Sequence, residues 1–219
     1  MLIAKNELYN AEITGGQILD RLKPEKNPQS EIRECLVLSP KTINSAGLID
    51  IETLKDSRVN IAIDALPKQH RDASKIAVKG DIVLKLCTPY DAALITEEVI
   101  DAIKDDPAAL NTQEGIGCLV PSFCCKIKVP YDIDSRFFLA FLNSDYCKSQ
   151  FKAMTEDRAI ALLSINKIKS LEMPPLPSLD KQEQIGLQYT ANQKKLQLME
   201  EIKELIIKRN DILFRELRK

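Results

Sequence analysis

The sequence is poor in the side chains on which most enzyme chemistry is built. It holds one histidine, His70, and no tryptophan in 219 residues, so constellations that need a histidine base oriented by its neighbours have almost nothing to draw on. His70 itself sits among Lys68, Gln69, Arg71 and Asp72 and reads as a surface residue. The six cysteines (Cys35, Cys87, Cys118, Cys124, Cys125 and Cys147) show no CxxC spacing. The adjacent pair Cys124-Cys125 has the wrong geometry for two ligands of one tetrahedral zinc. They are expected to be buried small hydrophobes in a reducing compartment, and neither a metal nor another cofactor is expected. No run approaches the roughly 18 uninterrupted apolar residues of a membrane span, and MLIAKNELYNAEIT lacks the pattern of a secretory signal. The expected location is cytoplasmic. Charge of either sign is not in excess, with 31 basic residues against 32 acidic, so no overall field draws the molecule to nucleic acid or to an anionic membrane. A nucleic-acid site would have to be a local patch. The motifs GxGxxG, GxxxxGK[ST], HExxH, GxSxG and the DNA aminomethylating [ND]PP[YF] are absent, and the paired carboxylates Glu97-Glu98 and Asp105-Asp106 lie in polar helical sequence that reads as a solvated face. No catalytic constellation emerges.

A hydrophobic fraction of 44% is ample for a core. Four β-branched, apolar runs with turn residues between them predict a strand-rich region: 34–40 (ECLVLSP), 59–67 (VNIAIDALP), 74–89 (SKIAVKGDIVLKLCTP) and 117–130 (GCLVPSFCCKIKVP). Lys79-Gly80-Asp81 reads as a tight turn joining two strands. Between strands, 97–110 predicts a short acidic helix broken at Pro107. A second helix is predicted over 134–154, capped by Asp134 or Ser135, with Phe138, Leu142, Tyr146 and Phe151 as its buried stripe. Residues 164–170 predict one or two capped helical turns, followed by an extended Leu171-Glu172-Met173.

Character changes at Pro174, Pro175 and Pro177, three prolines in four residues. They fix φ and stop whatever precedes them. Asp180 followed by Glu183 is a capping-box arrangement, and everything after it is helix-compatible. A helix from Asp180 to Arg218 would span roughly 58 Å at 1.5 Å per residue, more than a domain of this size can cover. Ile185, Tyr189, Leu196, Met199, Ile202, Leu205, Ile206, Leu213 and Leu217 recur at spacings of three and four, with gaps, a stripe suited to pairing with another helix. The plain alternative is a helix folded back on its own domain, which would still leave an exposed end. Charge segregates too: residues 181–219 hold nine basic and six acidic residues, and residues 1–180 hold 22 and 26. The expected fold class is therefore α+β: a strand-rich head over 1–173, a proline joint over 174–179 and a long helical arm over 180–219. On physics alone the ligand stays open.

The order of features in KGDIVLKLCTPYDAALI (79–95), RFFLAFLNSDYCKSQF (136–151) and RAIALLSINKIKSLEMPPLPSLDKQEQIG (158–186) resembles the specificity subunits of type I restriction-modification systems. The shared order is a GDI-type turn, a helix with a Leu-Asn-Ser element, a short helical turn, an aliphatic strand, a PLP-type proline cluster and a Gln-rich entrance to a long helix. Members usually carry two target-recognition domains, each followed by a helix, and this chain has one of each. The resemblance thus implies a half-length form whose two copies pair through Leu196, Met199, Ile202, Ile206 and Leu213. Such a homodimer would read a palindromic, bipartite duplex without catalysis of its own, and would recruit methyltransferase and restriction subunits.

If the head reads DNA, it presents polar side chains to base edges and basic ones to phosphates. Candidates in loop-like sequence are Lys41, Asn44, Arg58, the Lys68-Gln69-His70-Arg71 cluster, Thr88, Tyr90, Arg158 and Lys167. The cluster is the strongest, because Lys and Arg suit phosphate or guanine and Gln suits adenine. The rival reading is a protein–protein adaptor whose helix docks a partner and whose acidic head no longer binds DNA, since phosphate binding normally draws on several cations.

Overall fold

A computed structural model describes residues 8–62, 75–156 and 162–216. It shows the expected mixture of sheets and helices; among the described residues the head has nine short strands, five α-helices and four 3₁₀ turns, followed by one long helix. Strands β1 (Glu12–Gly15), β9 (Cys124–Lys128), β5 (Ile82–Lys85) and β6 (Ala92–Leu94) form an antiparallel sheet in that order. A second sheet runs β4 (Ile76–Val78), β8 (Gly115–Leu119), β7 (Leu110–Thr112), and a third pairs β2 (Ile32–Leu36) with β3 (Arg58–Ala62).

The central strands β9 and β5 of the four-stranded sheet are buried on both faces, and their side-chain alternation sorts residues between two cores. Ile82 and Leu84 join one core with Cys125, Ile127 and Ala92, while Val83, Cys124 and Ala93 join the other. Helices α3 (Ser135–Asn143), α4 (Asp145–Ala153) and α5 (Ile165–Lys169) contribute Phe138, Phe151 and Ile168 to the first core. The second takes Leu54 from α1 (Ile51–Asp56) and Val99 from α2 (Glu97–Ile103). This alternation explains the Cys124-Cys125 pair: neighbouring thiols point into different cores. Burial pushes the Cys124 thiol up to about 12 and raises Cys125 further still, so both are inert.

The Lys79-Gly80-Asp81 turn is present, with Gly80 at φ +89, a left-handed conformation that favours glycine. It does not close a hairpin, however. β4 pairs with β8, whereas β5 pairs with β6 and β9, so the turn hands the chain from one sheet to another. Buried Asp81 accepts the Val78 N–H at 2.9 Å and ion-pairs with buried Lys126 at 3.4 Å.

The single helix expected over 134–154 is two helices. Asp134 caps α3 by accepting from the Arg136 and Phe137 amides, and the chain then breaks at Ser144, whose extended backbone (ψ 151) ends α3 while its hydroxyl caps α4 at Cys147 N. The break turns Tyr146 out to 53% exposure, so it leaves the predicted stripe, whereas Phe138, Leu142 and Phe151 are buried. Leu171-Glu172-Met173 is extended but pairs with no strand among the described residues. The Gln150 side chain stands in for one, donating to Glu172 O at 3.0 Å and accepting from Glu172 N at 2.9 Å.

The long helix α6 runs Leu179–Glu216. It starts ahead of the expected cap: the Ser178 carbonyl accepts the first helical bond from Gln182 N at 2.9 Å, leaving Asp180 inside the first turn, where its carboxylate faces the positive end of the helix dipole. Among the described residues no helix is long and apolar enough to cross a membrane.

Candidate nucleic-acid interface

One end of the four-stranded sheet gathers several loops. The registers Gly15↔Cys125 and Lys85↔Cys124 put the end of β1, the start of β9 and the end of β5 together. Beyond β1, Gln17 N donates to Val120 O at 2.7 Å; beyond β5, Leu86 N donates to Phe123 O at 2.9 Å. The segment after α4 returns to the same place, where Leu163 N donates to Leu86 O at 2.8 Å and Leu162 bridges Cys87. Lys75 arrives there as well: its carbonyl accepts from Val120 N at 2.9 Å and its ammonium donates to Gly15 O. Burial lowers the pKa of Lys75. Exposed at this end are Ile18, Thr88, Pro89 and Phe123.

The sequence candidates divide accordingly. Thr88 lies here, exposed on the 86–91 loop. The Lys68-Gln69-His70-Arg71 cluster and Arg158 lie outside the described residues, but Lys75 and Leu162, a few positions after each, are anchored here. Lys167 donates to Met154 O, fastening the residues on either side of the stretch that holds Arg158. Tyr90 is a correction: it is 4% exposed, its hydroxyl meets Thr155 Oγ1 at 2.8 Å and its ring packs on Phe151 at 5.7 Å. Its phenol belongs to the core, so it cannot touch a base edge. Arg58 is held by Asp106 at 2.6 Å and Glu34 at 3.0 Å, and the Asp106 contact, with that of Glu34, raises its pKa. It works as a tie between β3, β2 and the turn after α2. Asn44 closes its own loop by accepting from Leu48 N at 3.0 Å, and Lys41 is exposed on the preceding turn. Phe123, 55% exposed at the tip of the β8–β9 turn, was not legible as a surface aromatic, because GCLVPSFCC reads as one continuous strand.

The arm is seated on the head through its first five turns, chiefly against α3. Gly186 makes the approach possible: a Cβ there would stand 2.6 Å from Asp134 Oδ1, 2.7 Å from Arg136 Cβ and 2.9 Å from Phe137 N. Gln182 donates to Pro177 O at 3.0 Å and accepts from Asp134 N at 3.1 Å, locking the proline joint to the cap of α3. Buried Gln193 donates to Ala46 O at 2.7 Å and Gly47 O at 3.1 Å. Asn143, from the Leu-Asn-Ser element, clamps the edge strand by accepting from Ala92 N and donating to Ala92 O, both at 2.9 Å. It also hydrogen-bonds Tyr189, whose hydroxyl pKa is raised by burial.

Past residue 197 the arm leaves the head, and residues 198–213 are all exposed. At about 100° per residue, the docked Gln182, Gly186, Tyr189 and Gln193 share an arc of roughly 60°. Leu198, Met199, Ile202, Leu205, Ile206, Ile212 and Leu213 fall in an arc of roughly 140° centred on the opposite side. Along the docked line itself the free segment carries Glu200, Glu204 and Asp211 and, in line with Tyr189, the exposed Ile207. The apolar stripe therefore faces away from the surface that meets the head, and folding back on the head could not bury it. Leu196 is 57% exposed but lies off this stripe.

No family model matches the chain, and no curated protein matches it in sequence. Among solved structures it is similar to a chain from work on the structural basis underlying complex assembly and conformational transition of the type I R-M system, with a TM-score of 0.52 at 10% identity over 90% of this chain and 39% of that one. The crystal structure of the HsdS subunit from Thermoanaerobacter tengcongensis aligns at a TM-score of 0.49 and 17% identity, over 89% of this chain and 43% of that one. The likeness is one of fold, and this chain spans about two fifths of the length of either neighbour.

Proposed function

We propose that this protein is a non-catalytic, sequence-specific DNA-recognition subunit of a type I restriction-modification system, working as a homodimer on a bipartite site. The observation that carries this reading is the arm: a helix rigidly seated on a mixed α+β head, with its apolar stripe turned away from that head. The fold likeness to a chain of a type I R-M system supports it. In this reading the sheet-end loops reach the base edges, with Thr88, the Lys68–Arg71 cluster and Arg158 as the polar and basic contacts. Two arms pair through Met199, Ile202, Ile206 and Leu213 and set the distance between half-sites. Methyltransferase and restriction subunits would then supply the chemistry, which this chain's residues do not.

The test is Ile206→Glu in the full chain, which places a carboxylate in the centre of the stripe. The variant is expected to sediment as a monomer and to lose affinity for the full duplex site by at least tenfold, because one head holds one half-site. A monomer that binds the full site as tightly as wild type would remove the spacer role from the arm.

A second reading, a protein–protein adaptor, is favoured by one observation. Several cations on the head are already engaged by carboxylates: Arg58 by Asp106, Lys79 by Glu97, Lys104 by Asp101 and Lys128 by Glu114. Weak binding to every duplex at low salt would favour it.

A further inference from the structure

Where the arm leaves the head there is a cleft of about 570 Å³ between α6, the 44–52 loop and α2, within the roughly 300–1,000 Å³ of small-molecule sites. Its floor is apolar, with Leu48, Ile49, Val99 and Leu139. Its charged lining is one-sided: Asp50, Glu52, Glu98 and Glu201 stand against one cation, Lys194, a surplus of three negative charges. Glu98 meets Lys194 at 2.6 Å and Glu52 meets Lys55 at 3.8 Å. Both pairs are solvent-exposed, so a better cation exchanges with them at little cost.

Gln193 points the same way. It lines the cleft and is 2% exposed. Its amide nitrogen spends both N–H groups on the loop that forms one wall, donating to Ala46 O at 2.7 Å and Gly47 O at 3.1 Å. The carbonyl oxygen, on the other side of the amide, has no hydrogen-bond partner, and among the described residues it is the one buried side-chain polar atom so left. Out of contact with water, its dipole adds unscreened negative potential to the cleft.

These features select among cations. A metal ion needs several ligands around one point, and among the described residues no group of three or more acidic, histidine or cysteine side chains could hold one. A quaternary ammonium favours an aromatic cage, and the lining holds no aromatic ring. What fits is a cation with its charges spread along an aliphatic chain, the methylenes lying on the floor as a lysine stem lies on apolar surface. We infer that the cleft at the root of the arm binds a linear aliphatic polyamine. Its ammonium groups meet carboxylates of the head, Glu52 and Glu98, and of the arm, Glu201. The ligand therefore bridges the two where the arm last touches the head, and favours a seated arm over a lifted one. This binding is independent of any duplex held by the head.

Spermidine is the probe, titrated calorimetrically into the full chain at low salt, with Mg²⁺ as the competing cation. Two variants make the comparison. Glu52→Gln/Glu201→Gln removes two charges from the cleft, and Glu200→Gln/Glu204→Gln removes two from the arm outside it; all four side chains are exposed, so neither change threatens folding. The first is expected to weaken spermidine binding at least about tenfold and the second by less than about twofold. Bound spermidine is also expected to slow amide exchange over residues 194–201. Equal weakening in the two variants, the result of diffuse attraction to an acidic surface, overturns the inference. So does displacement of spermidine by Mg²⁺ at the same concentration, or binding that leaves exchange at the root of the arm unchanged.

Discussion

Gly186→Ala reverses a sign that is otherwise predictable. In an exposed helix the change stabilises by up to about 1 kcal/mol, because alanine loses less backbone entropy. Here the added methyl would lie 2.6 to 2.9 Å from Asp134 Oδ1, Arg136 Cβ and Phe137 N. Two of these belong to atoms that cannot swing aside, since they are part of the first turn of α3. Overpacking of this kind costs about 1–3 kcal/mol. If α6 instead lifts away, it strains the bonds of Gln182 to Asp134 N and of Gln193 to Ala46 and Gly47, each contributing about 1 kcal/mol. After subtracting the helix-propensity gain, the expected net loss is about 1 kcal/mol, a fall in Tm of roughly 2–4 °C for a chain of this size. Guanidinium and thermal unfolding of the purified variant measure it. A midpoint that stays level or rises would mean that the arm is not seated on α3, and the fixed angle between arm and head would go with it.

Asp134→Ala removes the side-chain cap of α3 while leaving the backbone N–H that holds Gln182, and should cost about 1–2 kcal/mol at neutral pH. Burial acts to raise the Asp134 pKa, but the Arg136 guanidinium and the Phe137 and Arg136 amides outweigh it, so the net shift is downward from 3.8. A carboxyl lowered on folding adds stability that is present above its unfolded value and lost as pH falls through its folded value. The stability gap between wild type and Asp134→Ala should therefore hold from neutral pH to about 4 and close below it, as followed by urea midpoints. A gap that widens with acid would contradict the assignment. Where two arms pair antiparallel, duplicating 199–205 after Leu205 should move the heads apart by roughly 10.5 Å, about three base pairs. Binding selection should then return the same half-sites with a longer spacer; altered half-sites would mean that the arm does more than measure.

Local features were legible in the sequence. Periodicity from Ile185 to Leu213 marked the arm, Gly80 marked a turn, and the apolar runs marked most strands. What escaped was decided by partners distant in the chain. Arg58 looked like a free loop cation until Asp106 folded beside it. Tyr90 looked like a loop aromatic, but the 86–91 loop carries it back under α4, against Phe151 and Thr155. Ser144 broke an apparently continuous helix because its hydroxyl can cap a new one, and Tyr146 turned outward as a result. The strand expected at Leu171 is satisfied by Gln150, a side-chain substitution that strand composition does not encode. The seating of the arm rests on Gly186, Gln182 and Gln193, small and polar residues that a search for apolar stripes passes over. The free stripe, by contrast, is apolar but for Arg209, and the periodicity marked Met199, Ile202, Leu205, Ile206 and Leu213 on it while also taking in Ile185, Tyr189 and Leu196, which lie off it.

The central claim is that the dimer reads one bipartite sequence, and selection from a random duplex pool by the purified full-length chain tests it most directly. At low salt the account predicts enrichment of a single palindromic motif, two short half-sites around a fixed unread spacer, with affinity falling as salt rises. Recovery of no motif from a chain that is folded and dimeric would contradict it and leave the helix pairing to serve another purpose.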